Sequence, residues 1–372
     1  MKPIEAFFAA LLLASAAPLV ASCLDVAEGR ARRDLEIGRA SQADIRVEVE
    51  GGLAAVRHLA PRDLRLWASA PTLSLRLTTG ASGGGAWDVR IENILPDAVL
   101  IAETQTGVSL PVEATTSPIP TERTFRVDLP ANEEVTFSLG APDRASLSPW
   151  RFAVFADVQE AIGGVQDIYK KMNTTPGIRF ALISGDLTSQ GTPEELEEFQ
   201  REMKTLAFPC YSTLGNHELG TRDDLYHDYF GRGNYAFDFR GVRFLMLDSA
   251  SATLDPLVYT WLPGWLEGGR DRLDVATMHI VPIDPVGSRN GSFASRAEAD
   301  KLLLQLARGG VDQTFYGHIH SYYAFENAGI PAHITGGGGA IPERMDGIGR
   351  HFLTVDVVPP STIEQVAIVR VD

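Results

Sequence analysis

Cysteine is almost absent: the 372 residues include only two, Cys23 and Cys210. A disulfide framework and any cysteine-rich zinc site are thereby excluded. Positive charge is also scarce, with 33 Lys+Arg against 48 Asp+Glu and a net charge of −15. A surface of that sign repels nucleic-acid backbones and anionic bilayers, which argues against a general electrostatic nucleic-acid binder. The apolar stretch at residues 6–21 is interrupted by Pro18 and falls short of the roughly 20 residues that a spanning helix needs. Internal repeats and low-complexity tracts are lacking. The rest is ordinary globular material, 44% hydrophobic and 22% charged. At roughly 100–200 residues per domain, it suffices for two or three domains.

Lys2, the apolar stretch and the small residues after it have the layout of a secretory signal. The end of the stretch, Val20-Ala21-Ser22-Cys23, resembles a bacterial lipobox. That resemblance implies a signal peptide over residues 1–22 and lipidation of Cys23, with membrane contact through the lipid anchor alone. Leu24 at the next position points to the outer membrane or cell surface, the periplasm being the alternative. Cys210, after Pro209, reads as a buried thiol with no neighbouring base to activate it. Residues 23–44 are charged, lack helical apolar periodicity and read as a linker.

Residues 45–148 read as an all-β sandwich of the immunoglobulin or fibronectin kind. Short alternating segments such as Leu73-Ser74-Leu75-Arg76-Leu77 and Trp87-Asp88-Val89-Arg90-Ile91 recur between turn signals, which predicts antiparallel strands. Near Ser148-Pro149 the pattern changes to apolar runs alternating with helices, as in an α/β domain over residues 149–372. Two helix starts are explicit. Thr192-Pro193-Glu194-Glu195 predicts an N-cap, a first-turn Pro and a capping box, and Ser295-Arg296-Ala297-Glu298 predicts a second box.

Metal-type side chains collect where the apolar runs of this second region end. Phe152–Ala156 ends in Asp157-Val158-Gln159, and Phe180–Ile183 ends in Ser184-Gly185-Asp186. Tyr211–Leu214 ends in Gly215-Asn216-His217-Glu218, Leu273–Met278 in His279, and Thr314–Tyr316 in Gly317-His318-Ile319-His320. Ligands of α/β sheets bind beyond the carboxyl ends of strands, so these five ends can converge on one site. Carboxylate, carboxamide and imidazole donors without thiolate suit Mn, Fe or Zn. Asp157, Asp186, Asn216, His279, His318 and His320 exceed the three ligands of one open ion, with Gln159 a seventh candidate. Two ions sharing a carboxylate are therefore favoured.

This succession resembles the calcineurin-like metallophosphoesterase superfamily over roughly residues 151–372. The anchors Asp157, Asp186 and Asn216 are 29 and 30 residues apart and stand in the family's order. The resemblance implies a four-layer α/β/β/α fold with two mixed sheets, the segments at 235–238, 242–248, 352–358 and 363–371 supplying the second sheet. It implies one ion on Asp157, Asp186, His320 and Gln159, and another on Asp186, Asn216, His279 and His318. His217 matches the family's non-ligand histidine, which touches the phosphoryl oxygen or assists the leaving group. Gln159 stands where the family has His. A neutral amide oxygen is a weaker and harder donor than imidazole.

The implied activity is hydrolysis of a phosphomonoester or phosphodiester by a metal-activated hydroxide, on an exported, lipid-anchored protein. A metallophosphoesterase-like binding lipoprotein with weakened catalysis is the alternative, and an adhesion role for the β-rich region is a third reading. His333 reads as a packed histidine or one that backs a site residue, His227 and His351 as surface or structural, and Asp248 as a turn or strand-end residue. The loop at residues 282–293, with Arg289 and Asn290, is the expected substrate-selecting segment.

Overall fold

The computed structural model describes residues 29–220, 222–287, 291–343 and 347–371. The expected signal segment, Cys23, Arg289 and Asn290 fall outside the described residues. Two sheets form the N-terminal part. One runs β1(Arg39–Gln42), β2(Ile45–Val49), β5(Leu73–Thr78), β11(Glu134–Gly140), β7(Val99–Thr104), β8(Ser109–Leu110) in spatial order. The other runs β3(Ala54–Ala60), β4(Asp63–Ala68), β6(Gly85–Glu92), β10(Glu122–Leu129), β9(Val112–Ala114). Alternation is clean on β5, where Leu73, Leu75 and Leu77 are buried while Arg76 is exposed. The expected antiparallel pattern fails at one place, because β4 pairs with β6 in parallel. Between them the chain crosses to the other sheet as β5, so β6 returns in the direction of β4.

The second part also has two sheets, both mixed. The third sheet is β14(Cys210–Thr213), β13(Ile178–Ser184), β12(Trp150–Phe155), β21(His351–Val358), β22(Thr362–Arg370). The fourth is β15(Tyr235–Phe239), β16(Val242–Leu247), β17(Leu273–Met278), β18(Gln313–Tyr316), β20(Ile330–Thr335), β19(Tyr322–Asn327). The segments expected to share one sheet are therefore divided, β15 and β16 going to one and β21 and β22 to the other. β12, β13 and β14 are mutually parallel, as are β16, β17, β18 and β20. Strands covered on both faces read as unbroken apolar runs, and every residue of β17 is buried, including Asp274.

Phe152, Phe180, Phe237, Phe244 and Phe315 are buried in one apolar cluster with Trp150 and the inward residues of the N-terminal sheets. Each buried aromatic of this size contributes on the order of 2 kcal/mol by leaving water. A second cluster lies beneath the helices Gln166–Thr174, Pro193–Met203 and Leu225–Phe230, a third beneath Pro256–Trp265 and Arg296–Gly309. Thr192 and Glu195 form the predicted capping box. At the second helix start Ser295 caps Glu298 N, but the Glu298 carboxylate instead accepts the amide of Leu254 at 2.7 Å and ties down the preceding loop.

The expected linker is the largest departure. Residues 29–34 are helical and β1 follows them. Arg30 and Asp34 are 1% and 0% exposed. This turn is held by buried charge rather than by an apolar stripe, so apolar periodicity could not reveal it.

Candidate metal centre

β12, β13, β14, β17 and β18 end at the same side of their sheets. The turns beyond those ends carry Asp157 and Gln159, Asp186, Asn216 and His217, His279, and His318 and His320. Asp157, Gln159, Asp186 and His318 adopt φ values of 62°, 47°, 54° and 70°. Left-handed backbone costs a non-glycine residue about 1 kcal/mol or more, so each is held there by its surroundings. Val158 N and Gln159 N both donate to Asp186 O, at 2.9 and 3.3 Å, and Ala340 N donates to Asp157 O at 2.9 Å. Gly185 and Gly215 let the turns meet. A Cβ on Gly185, at φ +80°, would lie 2.6 Å from Gly215 N, and one on Gly215 would lie 2.1 Å from Asp186 Oδ1.

Two triads emerge, Asp157/Asp186/His320 and Asp186/His279/His318, and within each the ligand-type atoms lie within 4.8 Å of one another. Asp186 belongs to both. Asn216 Oδ1 is 3.0 Å and Asp186 Oδ2 3.2 Å from His279 Nε2. Gln159 Nε2 donates to Asp186 Oδ2 at 2.7 Å and lies 3.2 Å from His320 Nε2. All seven expected ligands are thus brought together.

The imidazoles are oriented from behind. His279 Nδ1 is 2.7 Å from Ser184 O, and His320 Nδ1 is 2.7 Å from Ile341 O. A carbonyl only accepts, so both Nδ1 atoms carry the proton and both Nε2 atoms face the cluster. For a neutral His279 this sets its lone pair against two oxygen acceptors. Such a convergence of lone pairs is the environment a cation relieves, and the donor set fits two divalent ions. Without one, protonation relieves it. Burial opposes the charge, but Asp186, Asp157 and the Ser184 carbonyl together outweigh it and raise His279 to about 9. Asp186 is correspondingly held well below the carboxylate range, His279 and His217 overriding its burial. Asp157 is pushed up by burial and by the neighbouring Asp186.

His217 stands apart from both triads. Its Nδ1 donates to Ser189 O at 2.7 Å, and its Nε2 lies 3.9 Å from Asp186 Oδ2. The side chain is one-third exposed, which leaves Nε2 available at the rim. Glu218 is the residue whose part the sequence reading missed. Its buried carboxylate accepts from Asp186 N (2.9 Å), Gly215 N (2.8 Å), Thr188 N (2.9 Å) and Thr188 Oγ1 (2.8 Å). Burial, with Asp186 nearby, raises it to about 7. Its position three residues after Gly215 is capping-box spacing, the one signal that could have revealed it.

Residues 151–322 match the family model for calcineurin-like phosphoesterases. Purple acid phosphatase 21 of Arabidopsis thaliana is 30% identical over 168 residues, 39% of this chain and 38% of that protein. The chain thus matches under two-fifths of the length of that curated relative. Among solved structures, the purple acid phosphatase PPD1 from yellow lupin (Lupinus luteus) seeds aligns with a TM-score of 0.47 at 16% identity, over 77% of this chain and 68% of that one. A dimetal phosphatase from Danio rerio aligns with a TM-score of 0.44 at 14% identity, over 60% and 99%.

Proposed function

From the calcineurin-like phosphoesterase match at residues 151–322 we propose that this chain is a dinuclear-metal-dependent phosphoesterase acting on a phosphomonoester or phosphodiester. The observation that carries the proposal is the pair of ligand triads joined at Asp186. The first ion is assigned to Asp157, Asp186 and His320, joined by Gln159 once its amide turns Oε1 rather than Nε2 inward, and the second to Asp186, Asn216, His279 and His318. Mn, Fe and Zn all suit the donors. When bound, the two cations supply Lewis acidity and a lowered pKa for the attacking water.

The chain's own residues do the rest. Asp186, sharing its carboxylate between the triads, fixes their spacing, and Glu218 fixes Asp186 from behind through its amide. The backbone carbonyls of Ser184 and Ile341 keep His279 and His320 in one tautomer, so neither ring turns during turnover. His217 presents Nε2 at the rim towards the phosphoryl or leaving-group oxygen, donating to it in the imidazolium form, and Ser189 O keeps that ring in register through Nδ1–H. A net charge of −15 does not oppose an anionic substrate once cations set the local field.

The finer architecture belongs to the same reading. The three apolar clusters support four α/β/β/α layers after residue 149 and a β-sandwich before it. Export, lipidation of Cys23 and an outer-membrane or surface location rest on the sequence of residues 1–24.

Asp186→Asn tests the bridge. Elemental analysis of the wild-type chain is expected to give two ions per molecule, together with turnover of a chromogenic phosphate ester. The variant is expected to lose ions and turnover together. Full ion content with undiminished activity in the variant would sink the assignment.

A further inference from the structure

We propose that Arg30 and Asp34, more than a hundred residues upstream of the family-matched segment, are positioning residues for the Asn216–His217 turn. The proposal rests on the phosphoesterase reading for what that turn does, but not for how it is held. Arg30 Nε donates to Asp248 Oδ2 at 2.6 Å and its Nη2 to Asp248 Oδ1 at 3.2 Å. Asp34, one helical turn later, accepts from Gly233 N (2.8 Å), Asn234 N (3.1 Å) and Asn234 Nδ2 (2.9 Å), and its Oδ1 lies 3.0 Å from His227 Nε2. Asn234 Oδ1 closes the ring by accepting Asp248 N at 2.8 Å. All five side chains are buried.

Both ends of this ring abut segments that lead into the metal centre. Leu247 pairs with Met278 across β16 and β17, so Asp248 and His279 are the residues that follow directly beyond that last pair. At the other end, residues 226–235 brace the strand that leads into Asn216. Tyr226 Oη and Tyr235 Oη donate to Ser212 O at 2.8 and 2.9 Å, and Thr213 Oγ1 donates to Gly233 O at 2.8 Å. Only Leu214 and Gly215 separate that brace from Asn216.

The helix Leu225–Phe230 is seated on the N-terminal part from a second side. Ser69 Oγ donates to Phe230 O at 2.8 Å, Arg57 Nη1 donates to Tyr229 O at 2.8 Å, and Trp67 packs edge-on to Phe230 with ring centroids 5.7 Å apart. A segment that carries a proposed ligand, Asn216, and the proposed rim histidine, His217, is therefore backed by residues 30–69. A buried charge pair whose partners lie on different segments fixes geometry as well as energy, because either charge left alone is heavily penalised.

The test uses the full chain with Arg30→Met, Arg30→Lys and Ser69→Ala, read by amide exchange across residues 212–234 and by Mn titration calorimetry. In Arg30→Met the exchange of that segment is expected to quicken by about tenfold or more while β12 and β13 stay protected. Mn affinity and kcat are expected to fall roughly 3- to 30-fold with KM nearly constant, and Arg30→Lys to regain part of the loss. If Arg30→Met does not fold, Ser69→Ala, which loses one neutral hydrogen bond, is expected to show the same effects in weaker form. A lower Tm with unchanged exchange, Mn affinity and kcat in the folded variants would overturn the proposal. A wild-type chain that neither binds Mn nor turns over any ester would instead defeat the phosphoesterase reading, with the exchange result still deciding the positioning role.

Discussion

The same side-chain chemistry is set to opposite ends by burial and neighbours, and His333 and His279 show it. His279, facing Asp186, is drawn up to about 9, whereas His333, between the rings of Phe315 and Tyr322 at 5.8 Å each, is pushed down to about 4 by burial alone. Tyr322 Oη lies 3.1 Å from His333 Nδ1, so the packed reading of this histidine holds. A value depressed on folding means stability that is full above the unfolded value near 6.5 and is lost as pH falls towards 4. Between about pH 7.5 and 4.5 the loss from this group is about 2 kcal/mol. His333→Phe is expected to shrink the wild-type stability difference between those pH values by about that amount, measured by urea unfolding at each pH. An unchanged difference would mean that the folded protein already tolerates the charged ring.

At the scale of elements, the ligand-bearing turns were legible because each combines a simple apolar run with an abrupt polar end. A parallel strand buried on both faces must read that way, and its carboxyl end must carry whatever the site needs. Gln159 was legible as a departure, and its amide does occupy the ring between Asp186 and His320. Partners were harder to foresee. Ser295 and Glu298 have capping-box spacing, yet Glu298 serves Leu254, since a carboxylate takes the buried amide that lacks another acceptor. The parallel β4–β6 pair was invisible, because alternation reports which face a residue takes and says nothing of strand direction. Residues 29–34 were missed for a third reason: a buried ion pair leaves the same charged letters in a sequence as a solvated surface.

At the scale of the whole molecule, the change of composition near residue 149 is real but does not separate two independent cores. One apolar cluster contains Leu75 and Val89 as well as Phe152 and Phe244, and another contains Ala55 and Trp67 with Phe199 and Phe230. A chain of residues 149–372 would expose that surface and leave Asp248 and His227 buried without Arg30 and Asp34. It is expected to aggregate or unfold without cooperativity, whereas a chain beginning at Gly29 is expected to melt like the full protein. Calorimetry of the two distinguishes them, and a cooperative transition in residues 149–372 alone would contradict the shared core. The central claim, that this assembly hydrolyses phosphate esters through two cations with His217 acting on the phosphoryl or leaving-group oxygen, is tested most directly by one measurement. Paired chromogenic monoester and diester substrates are offered to Mn-loaded wild type, ion-free wild type and His217→Ala, with bound ions counted in each. Turnover is expected only with ions, and His217→Ala is expected to keep both ions while losing roughly 10²- to 10⁴-fold in kcat. Two bound ions with no hydrolysis of either ester, or full activity without His217, would contradict the account.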